Sequence, residues 1–150
     1  VGEITHLSGR LLDAHGAPIK NAVIEIWQVD NTGTYLQERD QKSAGGFDPD
    51  FQGFGRFETG SNGEYRFRTI KPVPYPTRPA PHIHFMVGIK GRGPWTTQLY
   101  VKGHPGNQRD RIYRLIGEAA VTADFMPIKD SRLGELTARF DIVHDPTAIA

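Results

Sequence analysis

Glycine and proline punctuate this chain densely, 17 and 11 times in 150 residues, and leave only short stretches between turn signals. Within those stretches hydrophobicity alternates with period two, the mark of strands with one face buried. Leu7 to Leu12 leads into Asp13-Ala14-His15-Gly16-Ala17-Pro18, a turn built from residues that tolerate tight backbone geometry. Ala22 to Val29 follows as a β-branched run, with Val23, Glu25 and Trp27 on one face and Ile24 and Ile26 on the other. Phe57 to Thr59 reads as a short strand. Ser61-Asn62-Gly63 is a hairpin turn, and Tyr65, Phe67 and Thr69 then share a face opposite Glu64, Arg66 and Arg68. Further strands are predicted over His82–Ile89, Trp95–Val101 and Arg139–Val143.

A long loop joins Asp30 to about Gly53, and a proline-dense one runs from Lys71 to Pro81. Loops that long are usually functional when they lack structure of their own. Only Asn107 to Ala120 carries a helical spacing, through Ile112, Leu115, Ile116 and Ala119, with Asn107 as the expected cap. The expected fold is all-β: a β-sandwich of about seven to nine short strands with long active-site loops and one short helix, forming one domain over residues 1–150.

Composition narrows the function. A hydrophobic fraction of 37% and a charged fraction of 23% suit a globular chain, and the apolar runs are too short to span a membrane. A formal charge of +1 gives no reason to expect nucleic acid. The chain has no cysteine, which removes disulfide scaffolds, thiolate zinc sites, iron–sulfur clusters and cysteine nucleophiles together. Any metal must be held by His, Tyr, Asp or Glu. No signal peptide is visible, and a start on Val1 suggests trimming; a cytoplasmic and an exported location both stay open.

His82-Ile83-His84 opens a strand, and residues two apart on a strand point the same way with Cα atoms roughly 6.5–7 Å apart. Two imidazoles at that spacing can share a metal ion, or they are surface histidines on an edge strand. Pro79, Ala80 and Pro81 run straight into the first of them and stiffen its approach. Tyr75 lies seven residues earlier between Pro74 and Pro76, which push it towards extended geometry. It reads either as an aromatic packed over the end of the sandwich or as a phenolate ligand. A free phenol titrates near pH 10, so only a strong Lewis acid keeps it ionised at neutrality, and ferric iron fits that role better than zinc.

Several runs together resemble the intradiol ring-cleavage dioxygenases. They are Val23-Ile24-Glu25-Ile26-Trp27-Gln28 with Gly33-Thr34-Tyr35, Phe47-Asp48-Pro49-Asp50-Phe51-Gln52-Gly53 with Gly55-Arg56, and Thr69-Ile70-Lys71-Pro72 leading to Tyr75-Pro76. Pro81-His82-Ile83-His84-Phe85, Thr97-Gln98-Leu99-Tyr100 and Phe140-Asp141-Ile142-Val143 complete the series, which covers Gly9 to Val143 in the family's order. The resemblance implies a non-haem Fe(III) centre held by Tyr35, Tyr75, His82 and His84 with a hydroxide. It implies cleavage of a catechol-type ring by O2, between the two hydroxyl-bearing carbons, to a cis,cis-muconate-type product. Tyr75 would leave the metal as the catecholate binds and act as a base, while Gln98 would line the pocket.

The family's active-site arginine usually stands three residues before the first histidine; here Arg78 stands four before, and it reads either as the same charge-stabilising residue or as a salt-bridged surface arginine. Thr77 replaces a tryptophan common after Tyr-Pro, which reshapes the pocket wall and leaves the particular catechol undetermined. The length leaves no room for the helical dimerisation segment of the larger relatives, so a minimal member is expected, with homo-oligomerisation left open. Two other classes compete. Gly9 through Val23 also matches the opening of prealbumin-like binding modules, and a zinc hydrolase would use His82, His84 and a carboxylate. His6, His15, His104 and His144 are read as ordinary surface or loop residues, and Tyr65, Tyr100 and Tyr113 as packing residues.

Overall fold

The computed structural model describes residues 2–41 and 46–145. The part of the first long loop that contains Gly45, like Val1, lies outside them. Among the described residues ten strands form two five-stranded sheets: β1 (Ile4–Asp13), β2 (Val23–Trp27), β3 (Phe54–Glu58), β4 (Glu64–Ile70), β5 (His82–Gly88), β6 (Trp95–Val101), β7 (Thr122–Ala123), β8 (Phe125–Pro127), β9 (Leu136–Arg139) and β10 (Ile142–His144). The all-β sandwich expected from the alternation is the fold observed. β7 and β8 escape a sequence reading because two or three residues are too few to show a period. No helix among the described residues is long and apolar enough to cross a membrane.

In the first sheet β1 is antiparallel to β4, from Ile4↔Ile70 to Arg10↔Glu64. Its other side runs parallel first to β9 and then to β10. The second sheet has the order β3-β2-β5-β6-β7, with β5 at its centre. Inward residues alternate as expected: Ile24 and Ile26 on β2, and Ile83, Phe85 and Val87 on β5, meet Leu7, Leu11 and Tyr65 from the facing sheet. Each such side chain stabilises the fold by about 1.5–3 kcal/mol relative to leaving it exposed. Because these residues claim one face of β5, His82, His84 and Met86 are forced onto the other.

The closing strand is not continuous over Arg139–Val143. It breaks at Phe140, whose amide donates to the Ser8 carbonyl and whose carbonyl accepts the Tyr65 hydroxyl at 2.6 Å. A Cβ on Gly9 would stand 1.8 Å from that carbonyl oxygen, so only glycine lets the two chains cross so closely. The helical stretch is likewise divided. A 3-10 turn over Pro105–Arg109 precedes α1 (Arg111–Ile116), and Gly117, at φ 101°, separates α1 from a single further turn, α2 (Glu118–Val121). Asp110, not Asn107, caps α1 by accepting from the amides of Ile112 and Tyr113. Asn107 is buried and donates to the Val101 carbonyl instead.

His144 also departs from its sequence reading: it is 4% exposed, with its ring 5.2 Å from that of Trp95.

Candidate metal and substrate site

β5 delivers both histidines to one point. His82 is 2% exposed, and its Nδ1–H donates to the Ala80 carbonyl at 2.9 Å, which leaves the lone pair on Nε2. That nitrogen is 3.2 Å from Nε2 of His84. Burial drives the pKa of His82 down to about 4. Burial, then the charges of His82 and Arg78, drive that of His84 down to about 3. Both rings are therefore neutral at pH 7, the state a metal ligand requires. Trp27, opposite His84 in the β2–β5 register, lies flat against it with centroids 5.0 Å apart and planes 5° from parallel.

Tyr35 comes from the loop after β2, which is wound around one buried carboxylate. Asp30 accepts from the amides of Thr32, Thr34 and Asp48, and from the Thr32 hydroxyl. Burial would raise its pKa, but these donors outweigh burial and hold it below the usual carboxylate value. Gly33 turns the loop at φ 84°, and a Cβ there would sit 3.2 Å from Cβ of Tyr75, so its bareness lets the two tyrosine segments close on each other. The Tyr35 hydroxyl lies 2.7 Å from that of Tyr75, 2.9 Å from Nε2 of His84 and 3.4 Å from Nε2 of His82. Burial, followed by the contact with Tyr75, pushes the Tyr35 phenol well above its ordinary value.

Residues from three separate segments thus direct two oxygens and two nitrogens at one spot. Ionising the Tyr35 phenol against that shift requires a cation among the four atoms. A set of two imidazoles and two phenolic oxygens, without sulfur, suits a hard trivalent ion, so the donor chemistry fits ferric iron. The carboxylate needed by a zinc hydrolase is not beside the histidines: the described residues contain no metal-compatible group of three or more His, Asp or Glu.

Arg78 reaches this neighbourhood by a different rule from the one its spacing suggested. Tyr75 and Arg78 exchange backbone hydrogen bonds, Tyr75 N–H to Arg78 O at 3.1 Å and Arg78 N–H to Tyr75 O at 2.8 Å, across the tight Pro76-Thr77 turn. Its position is set by its backbone pairing with Tyr75 rather than by its distance in sequence from His82. Its Nη2 donates to Oε1 of Gln98 at 2.8 Å, and Gln98 faces His84 across the β5–β6 pair. All five site residues expected from the sequence other than Tyr35 therefore lie on β5, on β6 or in the turn before β5.

Three neighbours carry no role in the sequence reading. Trp27 lies in one of the motifs quoted above, but its contact with His84 depends on strand pairing. Asp110 stands just before a helical run, a recognisable cap position. Its second contact, with Arg78, spans 32 residues and has no local signature. Tyr100 packs as expected, 0% exposed, yet its hydroxyl donates to Oδ1 of Asp110 at 2.7 Å and lies 2.9 Å from Gln98 Oε1. A cavity of about 750 Å³ between β3 and β4 shares Trp27 with the site but touches none of the four donor residues.

A protein-family model described as dioxygenase matches residues 1–146. The chain is 39% identical over 127 residues to the protocatechuate 3,4-dioxygenase beta chain of Burkholderia cepacia, a match covering 80% of this chain and 54% of that one. It is 31% identical over 150 residues to the hydroxyquinol 1,2-dioxygenase of Rhizobium sp. (strain MTP-10005), covering 87% of this chain and 48% of that one. The chain spans about half the length of these curated relatives. Its fold superimposes with a TM-score of 0.80 on the intradiol ring-cleavage dioxygenase from Tetranychus urticae, at 22% identity, covering 100% of this chain and 84% of that one. The chain belongs to the intradiol ring-cleavage dioxygenase family.

Proposed function

We propose that this sandwich is a catalytic unit that opens a catechol-type ring with O2, between the two hydroxyl-bearing carbons, to give a cis,cis-muconate-type product. Tyr35, Tyr75, His82 and His84 would hold a non-haem Fe(III) ion. The observation that supports this reading above others is the convergence of their four donor atoms within 2.7–3.4 Å of Tyr35 or of each other. A binding module without chemistry gives no reason for such crowding.

Bound there, ferric iron supplies Lewis acidity and a template for the two substrate oxygens. The protein's own groups divide the remaining work. Tyr35 is tied at both ends of its segment, by Asp30 behind it and by its own amide, which donates to Glu38 Oε1 at 2.8 Å, so it stays in place. Tyr75 sits half-exposed in a turn, where its oxygen, ionised while it serves as a ligand, would swing out as phenolate and take a proton from a substrate hydroxyl to become the neutral phenol. His82 and His84 stay neutral and fixed, one by the Ala80 carbonyl and the other by the face of Trp27. Arg78 places a permanent positive charge beside the site, where it favours the anionic form of a bound catechol. Gln98 holds that arginine and shapes the wall behind it.

The test is product identification. Iron-loaded protein supplied with catechol and O2 should consume both and release cis,cis-muconate, read by NMR and mass spectrometry. Opening outside the diol, or no opening in protein shown to carry iron, overturns the proposal.

A further inference from the structure

Asp110 makes two sets of contacts, and they divide cleanly between its oxygens. Oδ1 accepts from the amides of Ile112 and Tyr113, which caps α1, and from the Tyr100 hydroxyl. Among the described residues Oδ2 accepts only from Arg78, through Nε at 3.0 Å and Nη2 at 2.8 Å. A carboxylate is not needed for capping, which asparagine or serine performs as well. The second oxygen therefore has a different purpose.

The donor count of Arg78 shows what it is. A guanidinium carries five N–H groups in a planar fork. Nε and Nη2 are taken by Asp110, Gln98 and Tyr100, while Nη1 has no hydrogen-bond partner among the described residues. The Arg78 side chain is 24% exposed and that of Asp110 only 4%. One edge of the fork is thus clamped against a buried carboxylate and the other is left open. The clamp is itself anchored to the start of α1 and to β6, not to the turn that carries Arg78.

We propose that Asp110 is a positioning residue for ring opening: with Gln98 it grips the Nε–Nη2 edge of Arg78 and presents Nη1 to the charge that develops on the bound catechol. This rests on the dioxygenase reading above. Asp110 touches neither substrate nor metal; it acts through Arg78. α1 becomes part of the site through this single side chain.

The test uses the intact iron-loaded chain and two variants that both keep a capping side chain, Asp110→Asn and Asp110→Ser. The amide of the first would confront the Arg78 donors with N–H groups of its own, and the hydroxyl of the second is too short to reach them. Both should keep the helix signal and the iron content of the parent protein, with a lowered melting temperature because a buried ion pair is opened. Both should lose kcat/KM for catechol by about 100-fold, the cost of roughly 1 Å of misplacement, with most of the loss in kcat. In an Arg78→Met background the same changes should cost less than about two-fold, because the group they position is gone. On the metal-free protein, the Arg78 Nε–H resonance should be protected from solvent exchange in the parent and lose protection in both variants.

A kcat/KM within about two-fold of the parent, or an equal loss in the Arg78→Met background, overturns the positioning role. So does an Nε–H that stays protected in the variants. That last readout needs neither iron nor turnover, so it separates failure of the clamp from failure of the dioxygenase reading, which shows as absent ring cleavage in the parent.

Discussion

Two clusters of polar side chains stand next to each other on the outer face of β5 and β6, and they are built on opposite principles. In one, Arg78, Gln98, Tyr100 and Asp110 answer each other's charges and hydrogen bonds. Burial would weaken the Asp110 carboxylate, but hydrogen bonds from Tyr100, the Tyr113 amide and Arg78 outweigh it and keep it ionised. In the other, the hydroxyls of Tyr35 and Tyr75 and the Nε2 atoms of His82 and His84 crowd together at 2.7–3.4 Å, with no charged partner among the four. The first cluster holds itself together. The second gathers four side chains of metal-ligand type, and on the proposed reading their work divides: one cluster binds a cation and the other aims a permanent one.

Substitutions should break this contrast in different ways. The largest effect is expected from His84→Ala, which removes a nitrogen donor. Iron affinity, followed by titration and metal analysis, should fall by more than the roughly 10–100-fold typical of outer-shell changes. Arg78→Met should leave iron content unchanged but lower kcat by about 10²–10³-fold, as loss of a charge-stabilising donor does. Because it strands a buried carboxylate, it should also lower stability in urea by about 1–3 kcal/mol. Next comes Trp27→Ala, which frees the His84 ring without touching a donor atom. Iron should still bind, with affinity weakened about 10-fold.

The smallest effect concerns Asp30, behind Tyr35. Its folded pKa lies below that of an ordinary carboxylate, so the unfolded chain takes up the proton first as the pH falls. Its contribution to stability is present above about pH 4 and is lost as the pH drops through the folded value. Asp30→Asn should therefore cost about 1 kcal/mol at pH 7 and flatten the acid limb of a stability–pH profile by a similar amount.

The two clusters also differed in how far they could be read from sequence. The histidine pair was visible because a strand puts alternate residues on one side, and the apolar Ile83, Phe85 and Val87 left no doubt which side. Tyr75 stood out through its flanking prolines, whereas Tyr35 needed the family resemblance, since nothing local marks it as aimed at His84. Most strands followed from the same alternation. The break at Phe140 did not, because it is imposed by contacts with Ser8 and Tyr65 far away in the chain. Asp110 shows the limit most plainly: its capping role is local and legible, while its grip on Arg78 exists only once the turn before β5 and the start of α1 are brought together.

The most direct measurement is the visible spectrum after aerobic loading with ferric iron. Coordination by Tyr35 and Tyr75 should colour the protein through a tyrosinate-to-iron charge-transfer band. Tyr75→Phe should weaken and shift that band, and catechol should shift it again before O2 is consumed. A protein that binds iron and stays colourless, or whose band ignores both Tyr35→Phe and Tyr75→Phe, would contradict the assignment of the four donors.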